Sequence, residues 1–170
     1  MLNMPNNIHE DQRVVVEVDV QNMYYSAKNL YNSKVDFSKL LKQAVYNRKL
    51  IRALAYVIKA DTPDESNFFD ALRNIGFEVK TKDLKEYYGG QKKGDWDMGM
   101  AIDGIKLAQK MDVFVLVTGD GDFESLVKHL QARGVRVEVM SFGKSTAREL
   151  KDVANKFIDM DKQKDKFLIG

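Results

Sequence analysis

The stretch Val113-Phe114-Val115-Leu116-Val117-Thr118-Gly119-Asp120-Gly121-Asp122-Phe123 decides the fold of this chain. Its first five residues are all apolar, which is typical of a strand buried on both faces of a parallel sheet. The turn after the strand carries two aspartates, Asp120 and Asp122. In open parallel sheets, ligands bind beyond the carboxyl ends of the strands. The stretch therefore predicts a parallel α/β fold with acidic groups at its binding edge.

The length and composition are those of one folded domain. The chain has 170 residues, of which 44% are hydrophobic and 31% charged, and its net charge of +2 by itself predicts no partner. The absence of cysteine excludes disulfides, thiolate catalysis and cysteine-ligated zinc, and it fits a cytoplasmic location. No run approaches the roughly 18 apolar residues of a membrane span, so we expect no membrane partner.

Strands and helices alternate along the chain. The pattern predicts strands over 13–19, 50–59, 77–81, 113–118, 135–140 and 157–160, with helices between them. This alternation indicates right-handed βαβ units and a mostly parallel sheet covered on both faces, a three-layer, Rossmann-like α/β/α sandwich.

Three details of this pattern can be tested in the structure. The strand over 135–140 alternates with period two, which predicts an edge strand with one wetter face. Ser145 or Thr146 is expected to cap the last helix. We expect a polar lead-in over 1–12, one domain over 13–160 and a charged tail over 161–170 that frays.

Acidic residues recur where strands end. Asp19 closes the first strand, and Asp120 and Asp122 follow the strand at 113–118. If the two strands are neighbours, these carboxylates converge at one edge of the sheet. Asn22, just after the first strand, is well placed to orient a carboxylate or hold a water.

The helix expected over 95–110 adds Asp97 and Asp103. At roughly 100° per residue, both lie on the flanks of an apolar stripe, about 120° apart. An acid beside a packed face is costly unless it is paired, hydrogen-bonded or bound to a cation. The stripe comprises Trp96, Met100, Gly104, Leu107, Ala108 and Met111.

Most of these acids also have a structural explanation when taken alone. Asp19 could be a turn residue, Asp120 and Asp122 could be turn and cap residues, and Asp97 could serve the helix dipole. Asp103 lies too deep in its helix for that last role. Together, four or five carboxylates would repel each other without a counter-charge. An all-oxygen cluster suits Mg²⁺ or Mn²⁺ rather than zinc, and its chemistry indicates phosphodiester hydrolysis.

Two further segments are candidates for contact with nucleic acid. The segment over 82–94 could be a solvated loop, or its Lys92 and Lys93 could contact phosphates while Tyr87 or Tyr88 stacks on a base. A weaker candidate is a helix start with a lysine, an arginine and two hydroxyls that could contact phosphate. Its residues are Lys144, Ser145, Thr146 and Arg148.

These motifs resemble the NYN domain family, which has the PIN-like nuclease fold, and within it the LabA-like group. The matching segments are 18–22 (VDVQN), 92–97 (KKGDWD) continuing to 103, 118–123 (TGDGDF) and 145–158. The resemblance implies an α/β/α sandwich and a Mg²⁺-dependent ribonuclease whose motif acids bind the metal. The residues that it carries over are Asp19, Asn22, Asp97, Asp103, Asp120 and Asp122.

The sequence thus favours a metal-dependent endoribonuclease acting on single-stranded or structured RNA, and it is compatible with a homo-oligomer. The alternative is a regulatory RNA- or protein-binding module that keeps the acidic pocket without cutting, which the modest net charge fits. A phosphatase or a Toprim-type enzyme is disfavoured, because the paired aspartates follow the fourth strand and the first strand ends in Asp19 rather than a glutamate.

Overall fold

The architecture is an α/β sandwich in the computed structural model, which describes residues 8–87, 91–93 and 95–169. The strands, in chain order, are β1 (Arg13–Asp19), β2 (Lys34–Val35), β3 (Lys49–Lys59), β4 (Glu78–Asp83), β5 (Lys85–Tyr87), β6 (Gln91–Lys93), β7 (Val113–Val117), β8 (Arg136–Ser141), β9 (Lys156–Asp159) and β10 (Leu168–Ile169). The helices are α1 (Val20–Tyr31), α2 (Phe37–Val45), α3 (Glu65–Ile75), α4 (Asp97–Leu107), α5 (Glu124–Ala132), α6 (Arg148–Val153) and α7 (Lys164–Phe167).

Six strands form one sheet in the order β4-β3-β1-β7-β8-β9, and every neighbouring pair is parallel. Counting only these six strands, this is the 3-2-1-4-5-6 order of doubly wound folds, which reverses direction between β1 and β7. The predicted mostly parallel sheet is confirmed. The reversal places the ends of β1 and β7 side by side, where such folds bind their ligands.

Two apolar layers enclose the sheet. All five residues of β7 are fully buried, as the sequence predicted. Val113, Val115 and Val117 face the layer of α1, α2, α3 and α7, while Phe114 and Leu116 face the layer of α4, α5 and α6. The three-layer sandwich is therefore confirmed. In the described part of the chain, no helix is both long and apolar enough to cross a membrane.

The prediction that 135–140 forms an edge strand is wrong. β8 lies between β7 and β9, and its Glu138 side chain is buried. Arg48 forms two hydrogen bonds to this carboxylate, at 2.8 and 3.0 Å, and Arg136 forms a third at 3.0 Å. The polar positions that looked solvent-facing are an internal ion network, and β9 is the edge strand.

The prediction that the tail after residue 160 frays is also wrong. After a 3-10 turn over Met160–Gln163, the chain forms α7 and pairs β10 antiparallel with β2. Phe167 is 1% exposed in the core layer, and the Tyr31 hydroxyl donates a hydrogen bond to Asp161. The apolar residues that end this charged segment anchor it to the domain.

We expect Arg48→Ala to lower the free energy of unfolding by about 3–5 kcal/mol, because Glu138 keeps a buried charge with only one arginine left. Although burial raises the pKa of Glu138, its arginine partners outweigh that effect and lower it. The stabilisation that ionised Glu138 gives through this network is therefore present at neutral pH. It is lost as pH falls through the lowered pKa of Glu138. Urea unfolding at several pH values measures both effects.

The matched control is Arg52→Ala at the surface pair of Arg52 and Glu78, whose side chains are 38% and 50% exposed. This pair is also joined by two hydrogen bonds, yet solvent screening should hold its loss below about 1 kcal/mol. Equal losses in the two variants would contradict a special role for the buried network.

We expect Phe167→Ala to cost about 3–5 kcal/mol, since it empties a fully buried aromatic site. Thermal unfolding with circular dichroism measures the loss. The exposed Ile169, replaced by alanine, serves as the control and should change stability little. An unchanged midpoint for Phe167→Ala would show that the last residues are dispensable for the fold.

Candidate metal centre

The ends of β1 and β7 are joined by a small hydrogen-bond network. Asp19 caps α1, with Oδ1 accepting from the Asn22 amide at 3.2 Å and Oδ2 accepting from the Thr118 hydroxyl at 3.3 Å. Asn22 Oδ1 in turn accepts from the Gly119 amide at 2.9 Å. Asn22 therefore ties the turn after β7 to the start of α1, and its expected role of orienting a carboxylate or holding a water stays a prediction.

Two glycines let the turn after β7 approach the next loop. A Cβ atom on Gly119 would lie 2.6 Å from the Ser145 carbonyl oxygen, and one on Gly121 would lie 2.9 Å from the Ala147 Cβ. Both distances are below normal contact. The Gly119 carbonyl also accepts from the Ala147 amide at 2.9 Å. Together, the two glycines therefore fix the position of the turn that carries Asp120 and Asp122.

Trp96 fixes the start of α4 over the same edge. Its indole Nε1 donates to the Val57 carbonyl at 2.9 Å, and its ring packs edge-on against Tyr56 with centroids 5.3 Å apart. The Lys82 Nζ lies 4.7 Å from the centroid of the indole ring. The predicted apolar stripe of α4 is buried except for the half-buried Trp96, and Asp97 lines the same cavity as Asp120 and Asp122.

Three carboxylates meet at this point. Oxygen atoms of Asp97, Asp120 and Asp122 all lie within 4.8 Å of one another. Burial, followed by the charges of Asp120, Asp95 and Asp19, raises the pKa of Asp97 to about 7. Burial is also the main cause that raises the pKa of Asp19. The oxygen-only donor set and the mutual repulsion fit a divalent cation of the magnesium type.

The three carboxylates line an open cavity of about 470 Å³ with Asp19, Asn22 and Asp95. Tyr25, Tyr56 and Trp96 form part of its wall. The cavity is large enough for a small ligand or for one part of a longer one. Asp19 thus faces the same space as the three carboxylates.

The structure does not bring Asp103 into this group. Asp103 Oδ2 accepts hydrogen bonds from the Tyr56 hydroxyl and from Lys80 Nζ, each at 2.7 Å. Burial alone would raise the pKa of Asp103, but these two donors outweigh it and lower the pKa. Asp103 therefore already has a cation partner, which the helical spacing alone did not reveal.

A buried glutamate beside Asp103 was missed. Glu17 of β1 faces the α4 layer with no exposed surface, and neither carboxylate oxygen has a hydrogen bond of normal geometry among the described residues. Burial, and then the charge of Asp103, raises its pKa well above the usual range. Strand alternation, which puts Glu17 on the same face as Val15 and Asp19, could have signalled this position.

The predicted phosphate contacts near residue 145 mostly have other partners. Thr146 is buried and donates to the Phe142 carbonyl at 2.7 Å, and the Ser145 hydroxyl donates to the Ser26 hydroxyl at 3.0 Å. Neither caps α6, so that prediction is wrong. The Lys144 amide donates to Asp161 at 2.8 Å, which leaves the exposed lysine and Arg148 side chains as the accessible groups.

The basic segment contains the antiparallel strands β5 and β6. The side chains of Tyr87, Lys92 and Lys93, and all of Tyr88, lie outside what the structure describes. Their predicted contacts with nucleic acid therefore stay predictions.

The fold and this acidic cavity place the chain in the PIN-like class of α/β proteins. The family model of the NYN domain matches residues 13–161, and the chain belongs to the NYN domain family, whose members are generally nucleases. The predicted resemblance is confirmed.

Two relatives span nearly the whole chain. The Low amplitude and bright protein LabA of Synechococcus elongatus is 29% identical over 158 residues, which cover 88% of this chain and 84% of LabA. The crystal structure of a Vibrio parahaemolyticus protein of unknown function superposes with a TM-score of 0.87 at 35% identity. That match covers 95% of this chain and 99% of the other.

We expect Asp97→Asn to stabilise the cation-free protein by about 1 kcal/mol at pH 8, because it removes one repelling charge. The raised pKa means that the folded protein holds a proton that the unfolded chain releases above about 3.8. Wild-type stability therefore falls as pH rises from there through about 7, and the variant should lack that fall.

Thermal unfolding with and without Mn²⁺ measures these effects. Wild type should gain stability with Mn²⁺, and Asp97→Asn should lose most of that gain. Asp11→Asn, at an exposed pair with Lys49, should behave like wild type in both media. If Asp97→Asn destabilises the cation-free protein at pH 8, the proposed repulsion is absent.

Proposed function

We propose that this chain is a metal-dependent endoribonuclease that hydrolyses RNA phosphodiester bonds at its aspartate cluster. The observation that carries the proposal is the meeting of Asp97, Asp120 and Asp122 at the switch point of the sheet. Among the described side chains, no lysine or arginine forms a salt bridge with these three. The cluster therefore needs a positive charge from elsewhere, which a divalent cation would provide.

The roles of the chain's own residues follow from their contacts. We assign metal binding to Asp97, Asp120 and Asp122, with Asp19, which lines the same cavity, as a further ligand. Asn22 positions the turn through Gly119. When bound, Mg²⁺ or Mn²⁺ would lower the pKa of a water and neutralise charge on the scissile phosphate.

Asp103 receives a different role in the proposal. Because it holds Lys80 and the Tyr56 hydroxyl, we assign it the positioning of the cavity wall rather than direct metal binding. Tyr56 lines the cavity and packs against Trp96, so a shift of Asp103 would reach Asp97 through the start of α4.

Family membership supports RNA as the substrate, since the NYN domain belongs with nucleases of the PIN-like class. Lys92 and Lys93 directly precede the acidic start of α4 in sequence, so we keep them as proposed phosphate contacts. The exposed Arg148 is a further candidate. The cytoplasm remains the proposed location.

We expect Asp120→Asn to lower the rate of RNA cleavage at least about 100-fold, because several kcal/mol of charge stabilisation depend on the cation site. Labelled single-stranded and hairpin RNAs, incubated with highly purified protein and Mg²⁺ or Mn²⁺, measure the rate. Asp103→Asn should retain metal-dependent stabilisation while Asp120→Asn loses it, which separates positioning from ligand roles.

Asp11→Asn is the control and should cleave like wild type, since its exposed pair lies away from the cavity. Equal cleavage by wild type and Asp120→Asn would point to a contaminating nuclease. No cleavage by wild type across varied RNAs with either metal would overturn the proposal.

The alternative is a binding module that keeps the acidic pocket without cutting. The net charge of +2 favours it, because strong nucleic-acid binders are usually more basic. RNA affinity that falls steeply with salt, without turnover, would support this module over an enzyme.

A further inference from the structure

An apolar groove of about 830 Å³ adjoins the acidic cavity. Gln21, Tyr25 and Ile58 line both the groove and the cavity, so the two spaces share one wall. The groove therefore begins at residues that also border the acidic cavity.

Two exposed tyrosines line this groove. Tyr24 and Tyr25 are 47% and 50% exposed, and their rings meet edge-to-face with centroids 5.3 Å apart. Phe68, on α3, lines the groove and is 38% exposed. Large aromatic side chains on a helix usually lie against the core, so their exposure beside the cavity indicates a surface for a flat ligand.

The groove wall carries both signs of charge, with one lysine and three acids, and a further lysine lies beside the tyrosine pair. Lys28 Nζ lies 5.8 Å from the centroid of the Tyr24 ring, and Lys34 lines the groove. Of the three acids on the groove wall, Asp36 accepts from the Lys39 amide, and Glu65 accepts from two backbone amides. Asp64 is the third.

We infer that this groove binds unpaired nucleobases of the same strand whose phosphate lies at the aspartates. The inference rests on the proposed function, in that it takes the acidic cavity as the place of the scissile phosphate. Aromatic side chains bind single strands by stacking on successive bases, largely without regard to sequence. A base inside a double helix has no free face, so the substrate is a strand that is unpaired beside the cut.

Tyr25 is the first stacking surface, because it lines both the acidic cavity and the groove, and Tyr24 is the next. Lys28 contacts the backbone beside Tyr24, since phosphate contacts position a strand while bases carry the stacking. A single helix, α1, therefore presents the capping Asp19 at its start and the base platform one turn later.

The test measures binding of a short labelled RNA strand in Mg²⁺ by fluorescence anisotropy, in the Asp120→Asn background so that turnover does not interfere. Tyr24→Ala and Tyr25→Ala should each weaken binding about five- to hundredfold, the range of base–aromatic stacking. Tyr25→Phe keeps the ring and should bind nearly as well as the parent. Tyr46→Ala removes an exposed tyrosine that lines neither space and should have no effect.

A second measurement needs no tyrosine variant. A strand with abasic sites beside the phosphate at the aspartates keeps its charge but lacks the stacking groups, and it should bind several-fold more weakly. That penalty should shrink in Tyr25→Ala, because the two changes remove the same contact. A fully paired duplex should bind weakly and respond little to either tyrosine.

Equal binding of normal and abasic strands, or unchanged binding by both alanine variants, would overturn the inference. The groove would then fit an apolar peptide of a protein partner instead. Base-dependent binding without cleavage by the wild type would leave the inference standing while the proposed nuclease fails. Cleavage of abasic and normal strands at equal rates would support the proposed nuclease and overturn the inference about the groove.

Discussion

The hydrogen bond from the Gly119 amide to Asn22 Oδ1 joins two segments that are 97 residues apart in sequence. It forms only because β1 and β7 are neighbours, and they are neighbours only because the sheet reverses its order between them. That single adjacency brings the cap of α1 and the acidic turn after β7 to one edge. Asp19, Asp120 and Asp122 depend on it, while the contact of Trp96 with Val57 holds the start of α4 and its Asp97.

The structure treats its acids in two different ways. Glu138 and Asp103 are each matched by basic side chains, with arginines around the first and Lys80 on the second, and both have lowered pKa values. Asp97 instead lies among other acids, and its pKa is raised. Glu138 and Asp103 thus have basic partners, whereas Asp97, Asp120 and Asp122 have no counter-charge among the described side chains, and this contrast is a stronger argument for a cation than the cluster alone.

Much of the fold could be predicted from local patterns. The apolar run of β7 and the alternation of strands and helices predicted the correct layers. A strand that is apolar on both faces must be covered by helices on both sides of the sheet. β8 misled because Arg136 and Glu138 alternate with valines as surface residues do. The second arginine that neutralises Glu138, Arg48, comes from a turn 90 residues earlier in the chain, and no local pattern contains it.

The same limit explains the candidate site. Asp97 and Asp103 are equivalent by helical geometry, and only the long-range partners Tyr56 and Lys80 separate their environments. Aromatic residues were expected in the lysine-rich segment, whereas the structure exposes Tyr24 and Tyr25 on α1. The helical period of a sequence shows which positions face the core and which face the surface. It does not show whether a surface position borders a groove.

The raised pKa of Asp97 also makes the site sensitive to pH near neutrality. With a pKa of about 7, Asp97 exchanges a proton with solvent in the range where a cation would compete for the same oxygens. A proton relieves the repulsion by one charge, and a divalent ion held by these carboxylates would relieve it by two. The balance between them shifts toward the cation as pH rises. The close approach of like charges that destabilises the cation-free protein is therefore also what would attract the ion.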